Sequence, residues 1–304
     1  MSTYNGEKYI KEQLKSLYKQ KGDFDIYIYI RDDGSSDNTV NIIEEYGVLF
    51  DHFKFLKDRQ HNLGPARSFL LLLKQTSKHD FYFFCDQDDV WCDYKIQRAI
   101  SKLQKIEKKE CLKPKLYFSN ATIVDKMLKP IGKVYKSRPN YDFYSSLLLG
   151  GALGCTMCFD NNLACIIKEE RLPSKIIMHD FYTLSLCSLL NGIIIYDEKE
   201  TLKYRQHGEN SIGVNYTFLN KVYRNIKDIF TPVNCTVSEQ LKSIICLYKN
   251  SFKLNNAQKS WLILLTNLNK KITNKMKFML LDKAKYRNIS NKIVTHLSIL
   301  MGNY

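Results

Sequence analysis

Along the first two-thirds of the chain, short apolar runs alternate with amphipathic stretches, and polar loops separate them. Residues 7–19 place Tyr9, Ile10, Leu14, Leu17 and Tyr18 at the spacing of one helix face, and Gly22 ends the stretch. Asp25–Ile30, DIYIYI, is β-branched and aromatic and predicts a strand. A polar turn, Arg31–Thr39, follows, and Ser36–Thr39 can cap a helix over Val40–Tyr46. Phe53–Leu56 predicts a short strand, and Pro65 suits the entry of a helix through Ser68–Gln75. Phe81–Cys85 then reads as a buried strand, Asp93–Lys108 as an amphipathic helix and Leu116–Ser119 as a strand. Tyr141–Leu149 predicts a helix, Gly150–Phe159 a small-residue turn and strand, Phe181–Leu190 an apolar helix and Ile193–Tyr196 a strand. Leu202–Gly213 is polar. Strand and helix in alternation imply an α/β domain with a mainly parallel sheet.

Beyond Asn215 the pattern changes. Helical periodicity over Phe218–Phe230, Ser238–Phe252, Ala257–Leu268 and Lys271–Ile299 is interleaved with lysine, while Gly and Pro almost vanish. The expected organisation is an α/β unit over 1–214 and a basic helical region over 215–304. Of the net charge of +15, a balance of +12 lies in the last part, fifteen Lys and Arg against three acids. Such a tail points to an anionic partner, either a membrane surface or a nucleic acid. No basic stripe with interleaved aromatics lies outside the tail, which argues against nucleic acid. Trp261–Leu265 are the residues expected to dip into a bilayer, the alternative being a solvated bundle packed on the α/β unit.

Three carboxylates, Asp86, Asp88 and Asp89, stand where the apolar run Phe81–Cys85 stops. Acids crowded at a strand end repel one another and lose water, and a hard divalent cation such as Mg²⁺ or Mn²⁺ relieves both. In open α/β sheets ligands gather at the carboxyl ends of strands, so this turn is the expected binding end. The plain alternative is an Asp-rich turn. Cys155 and Cys158 form one C-x-x-C with no second pair or nearby His at zinc spacing, and most other cysteines sit singly in apolar runs. That usage suits a reduced, cytoplasmic protein, and no apolar run reaches the roughly 18 residues of a membrane span.

Six segments occur in a telling order: TYNG at Thr3–Gly6, RDDGSSDNT at Arg31–Thr39, NLG.AR at Asn62–Arg67, DQDDVW at Asp86–Trp91, HD at His179–Asp180 and YRQHGEN at Tyr204–Asn210. Together they resemble glycosyltransferase family 2, the inverting nucleotide-sugar enzymes of GT-A fold, and most of all its bacterial rhamnosyltransferase-like branch. The resemblance covers roughly Ser2–Gly213. It implies a Rossmann-like sheet flanked by helices, with a helical C-terminal appendage. It places nucleobase and ribose beside Thr3, Tyr4 and Asp33, the last able to accept the imide N–H of uracil or thymine. Arg67 matches a basic residue near the phosphates, and Arg205 and His207 match groups closing over the diphosphate. Asp86 and Asp88 match the element that holds Mg²⁺ or Mn²⁺, with Asp89 adjacent. Asp180 matches the catalytic base, against a plain helix cap. His179, Trp91 and the stretch containing Gly154 and Thr156 resemble parts that orient or line the sugar and acceptor cleft. The implied partners are a dTDP- or UDP-linked sugar and a glycan or lipid-linked acceptor, at the inner face of the cytoplasmic membrane.

One departure stands out: relatives carry a hydrophobic strand before TYN, and this chain starts at its last residue or two. The first strand is therefore expected to be missing or truncated, either because the start lies upstream or because the chain is a nucleotide-binding relic without turnover. Nucleotidyl transfer is disfavoured because TYNGEKYI is not a Gly-rich basic loop.

Overall fold

A computed structural model describes residues 1–58, 60, 62–106, 110, 112–207 and 233–304. The helix expected over Phe218–Phe230 and the 214/215 boundary lie outside the described residues.

The N-terminal part is a parallel sheet of β1 (Ser2–Thr3), β2 (Tyr27–Asp32) and β3 (His52–Leu56), in that order, with α1 (Ile10–Tyr18), α2 (Thr39–Gly47) and α3 (Pro65–Gln75) between and after the strands. The first strand is thus present as two residues, with Ser2 opposite Arg31 and Thr3 opposite Asp32. The Met1 ammonium donates to the Tyr29 carbonyl at 2.7 Å. Ile10, Leu14 and Leu17 of α1 pack with Ile28 and Ile30 of β2 and Ile43 of α2, which is the helix face and strand face the periodicity marked.

The second sheet runs β4 (Phe81–Phe83), β8 (Met157–Asp160), β6 (Lys115–Val124), β9 (Ile193–Arg205), β5 (Val90–Trp91), with β7 (Pro130–Lys133) against β6. Parallel character is confined here to β6–β9; the other pairings are antiparallel. The sheet is therefore mixed rather than mainly parallel. Two strands are also longer than their apolar runs. β6 continues past Ser119 to Val124, and β9 past Tyr196 to Arg205, because each ladder supplies hydrogen bonds to polar residues of the other. A 3₁₀ turn at Gly154–Thr156 precedes β8, and α6 (Asn161–Glu169), capped by Asp160, follows it.

Helices α4 (Lys95–Gln104), α5 (Phe143–Leu149) and α7 (His179–Leu189) flank this sheet. The tail supplies α8 (Val237–Tyr248), α9 (Asn256–Thr266), α10 (Ile272–Leu281) and α11 (Ile289–Met301). Reciprocal capping boxes, Thr236 with Glu239 and Asn255 with Gln258, start α8 and α9. Leu241, Ile244, Trp261, Leu265, Phe278 and Ile299 join the same core as Leu147, Tyr182 and Leu186. A hydrogen bond between the Tyr182 and Tyr248 hydroxyls at 2.8 Å and one from the Ile177 N–H to Gln240 Oε1 at 2.8 Å tie the tail to α7 and the loop before it. Trp261, Leu262 and Leu265, expected to meet lipid, are instead buried, because their spacing matches the face of α9 turned toward α5 and α8. The single long helix expected over Lys271–Ile299 is two helices broken at 282–288.

Candidate active site

The acidic turn is shaped at both ends. Phe84 and Cys85 are buried after β4, and Val90–Trp91 pair antiparallel with Leu202–Lys203 of β9. That pairing carries the end of β9 alongside the turn. Arg205 N–H donates to Asp89 Oδ1 at 3.1 Å, Arg205 Nε donates to the Asp88 carbonyl at 2.8 Å, and His207 Nε2 lies 2.9 Å from Asp88 Oδ2. The His207 ring also packs on Tyr9, with centroids 4.7 Å apart.

The ends of β1 and β2 form the neighbouring wall. Thr3 Oγ1 donates to Asp32 Oδ1 at 2.8 Å, and Asp32 in turn accepts the N–H groups of Gly34 and Ser35. Asp33 accepts from buried Arg31 at 2.8 Å and from the N–H groups of Leu63 and Gly64 at 3.0 and 2.8 Å. Of its roughly four acceptor positions, three are filled by these donors among the described residues. Gln87, which the sequence did not single out, clasps the Tyr4 backbone: its Oε1 accepts from Tyr4 N–H and its Nε2 donates to Tyr4 O, both at 2.9 Å. This joins the wall at Thr3–Tyr4 to the acidic turn. The pair is visible only once the fold brings residues 83 positions apart together.

Asp180 closes the far side. It is the second residue of α7, whose cap position is Met178, so it is not a side-chain N-cap. Its Oδ2 accepts the Gly154 N–H at 3.0 Å and its Oδ1 the Phe181 N–H at 2.6 Å. Gly154 must be small: a Cβ there would lie 2.5 Å from His179 Nε2. His179 is buried, stacked on Phe69 at 4.1 Å and edge-on to Phe84 at 4.6 Å. Neither of its ring nitrogens has a partner among the described residues. Burial pushes its pKa down to about 3, so the imidazole is neutral.

These walls enclose a cleft of about 790 Å³. Thr3, Tyr4, Asp33, Asp86, Asp88, Gly154, His179, Asp180 and His207 line it, together with Lys8. The other expected residues lie outside the lining. Arg67 donates to the Pro173 carbonyl at 3.3 Å. Arg205 is 1 % exposed and commits its guanidinium to the carbonyls of Asp88 and Lys126, to Glu12 and to the Tyr9 ring face. Trp91 is buried beneath the Lys95 ammonium, 4.7 Å from its ring centre. Thr156 is buried and donates to the Leu153 carbonyl at 2.7 Å.

The carboxylates repel as their sequence crowding implied. Burial, then the charges of Asp88 and Asp180, push Asp86 up to about 7. Burial pushes Asp180 up to about 6, against the pull of its two backbone donors. Asp89, fully buried, is also pushed up by burial, and its Oδ2 has no hydrogen-bond partner among the described residues. Donor atoms of Asp86, Asp89 and Cys155 lie within 4.8 Å of one another. An orphaned buried carboxylate oxygen beside a second strained carboxylate is a donor set that a divalent cation fits.

Residues 1–157 match the profile of Glycosyl transferase family 2. The dTDP-rhamnosyl transferase RfbG of Shigella flexneri is 32 % identical over 236 residues, 74 % of this chain and 77 % of that protein. Among solved structures, TarS of S. aureus (residues 1–349, in complex with UDP-GlcNAc) superposes with a TM-score of 0.56 at 18 % identity, covering 97 % of this chain and 76 % of that one. The mannosyltransferase PcManGT from Pyrobaculum calidifontis, in complex with GDP-Man and Mn²⁺, gives 0.52 at 12 %, covering 99 % and 83 %. Both likenesses establish the GT-A fold.

Proposed function

From the membership of this chain in glycosyltransferase family 2, we propose that the cleft moves a sugar, L-rhamnose from a dTDP donor, onto a hydroxyl of a glycan or lipid-linked saccharide in cell-surface polysaccharide synthesis. The observation that carries this reading is the convergence of Asp180 and the Asp86–Asp88 turn on one cleft that Thr3, Tyr4 and Asp33 also line. The similarity to a dTDP-rhamnosyl transferase over three-quarters of the chain supports the donor. A UDP-hexose or UDP-N-acetylhexosamine donor is the second reading, since Asp33 would accept the same imide N–H from uracil as from thymine.

Thr3, Tyr4 and Asp33 would hold the nucleoside. Lys8 and His207, which line the cleft, would face the diphosphate, while Arg67 and Arg205 serve the fold behind it. Asp86 and Asp88, with Asp89 behind them, would hold Mg²⁺ or Mn²⁺, which when bound supplies charge neutralisation for the departing nucleoside diphosphate. Asp180 would take the acceptor hydroxyl proton as the oxygen bonds to the anomeric carbon and the bond to the diphosphate breaks on the opposite face, inverting that centre. Its raised pKa suits the task, because a stronger base accepts the proton better while remaining ionised near neutrality. His179, neutral and unpartnered, would offer a hydrogen bond to a sugar or acceptor hydroxyl beside Gly154.

No helix among the described residues is long and apolar enough to cross a membrane. A lipid-linked acceptor would be met by peripheral contact at the inner face of the cytoplasmic membrane. The test is nucleoside diphosphate release from a panel of dTDP- and UDP-sugars with Mg²⁺ or Mn²⁺, with and without membrane lipid extract as acceptor. Turnover of dTDP-rhamnose alone supports the first reading, and turnover of a UDP-sugar alone the second. Nucleotide binding without turnover of any donor points to a relic.

A further inference from the structure

Helices α10 and α11 are turned inside out relative to ordinary surface helices. On α10 the buried residue is Phe278, whereas Ile272, Met276 and Leu280, spaced four apart, are exposed, Leu280 at 86 %. On α11 the buried residues are Thr295, Ser298 and Ile299, whereas Ile289, Ile293, Leu297 and Met301 are exposed, Ile289 at 77 %. Spacing of four keeps each set on one helix face. The helices are neighbours, joined by Lys275 Nζ donating to the Leu300 carbonyl at 2.9 Å. Both reach one core, through Phe278 and Ile299, and their apolar stripes face away from it. Beside α10, Leu281 is shared with a groove of about 610 Å³ lined by Ile263 and Leu264 of α9 and by Lys270, Lys271, Lys277 and Lys283.

Charge selects the occupant. Lys271, Lys277, Lys283, Lys285, Arg287 and Lys292 are exposed on and between the two helices. The one acid between Lys271 and Tyr304 is Asp282, which is turned inward to Tyr286 and His296. A second copy would set this cationic rim against itself. A surface that is apolar inside and anionic outside satisfies both features. The thirteen residues of α11 make a helix of roughly 20 Å, suited to lying in a headgroup layer rather than crossing one.

We propose that the outward stripes of α10 and α11, with their lysine rim, form the surface by which this protein docks on an anionic lipid bilayer. This deepens the functional reading above and rests on it for the acceptor that docking would bring within reach. The test is co-sedimentation of the full chain with vesicles of phosphatidylcholine alone or mixed with phosphatidylglycerol. Wild type binds the mixed vesicles, and raising salt weakens binding as screening shortens. Ile293→Glu with Leu297→Glu lowers the partition coefficient at least about tenfold, and Lys283→Gln and Lys292→Gln each lower it about fivefold. Nucleoside diphosphate release without vesicles is scored separately and is unchanged in these variants, so a failed transferase assay and a failed vesicle assay are told apart. Absence of wild-type binding to mixed vesicles, or equal binding by the Ile293/Leu297 variant, would overturn the proposal. So would a wild-type dimer that the same variant turns into monomer, since a second copy would then cover the face.

Discussion

Replacing Asp180 with Asn removes a proton acceptor and a buried charge while keeping the side chain's shape. Burial lifts its carboxyl from 3.8 to about 6, so the folded protein holds the proton more tightly than the unfolded chain does. The ionised group therefore costs stability above the folded pKa, and that cost fades as pH falls through about 6 and is gone below 3.8. The shift corresponds to about 3 kcal/mol at pH near 8 as an upper bound. Asn keeps one carbonyl to accept from Gly154 N–H but turns its own NH₂ toward Phe181 N–H, which takes back about 1 kcal/mol. It also relieves Asp86, whose raised pKa owes part of its height to Asp180. Asp180→Asn should thus melt about 2–4 °C above wild type near pH 8 and level with it or lower near pH 4. It should release nucleoside diphosphate at least about a hundredfold more slowly. In wild type, kcat/KM should fall on the acid side of about pH 6 if Asp180 must be ionised to act, since it is protonated there. Melting curves at several pH values, without metal, together with donor turnover, make the measurement. A variant less stable than wild type by the same margin at every pH would show that the carboxylate is a structural helix-start acid, and undiminished turnover would exclude it as the base.

Three further outcomes follow from the same geometry. Asp88→Ala, which strips His207 of its 2.9 Å partner, should abolish turnover and the rise in melting temperature that Mn²⁺ gives wild type, with little change in stability without metal. Arg205→Ala should lower stability by about 1–3 kcal/mol, because it removes a buried guanidinium that donates to the carbonyls of Asp88 and Lys126; denaturant unfolding reads this, and an unchanged midpoint would return Arg205 to a purely phosphate-facing role. Gly154→Ala should cost about 1–3 kcal/mol and most of the activity, since its Cβ would meet His179 Nε2 while that ring is wedged between Phe69 and Phe84; a variant with wild-type turnover would show that the ring can move.

The alternation of DIYIYI, FYFFC and the helical stretches carried the α/β class, because a buried face must repeat at the period of the backbone that bears it. It could not carry strand order or direction. β5 is two residues of an acidic turn, recruited by β9, and β9 runs nine residues past its apolar start because β6 supplies a ladder. Motif position marks Arg67, Arg205 and His207 alike. Only the structure shows Arg205 spending its donors on carbonyls and Glu12 while Lys8 and His207 reach the cleft.

Alone, the sequence determined which residue types crowd at the strand ends: acids that repel and a carboxylate at a helix start, chemistry that local spacing makes unavoidable. Tertiary structure decided which of them share one cleft, because the turn at Asp86, the loop at Thr3 and the start of α7 are separated by long stretches of chain. Their meeting depends on ladders and cores that no local pattern encodes. The tail makes the same point. Its lysines are plain in the sequence, yet packing alone determined that Trp261 goes inside and Leu280 and Ile293 face out.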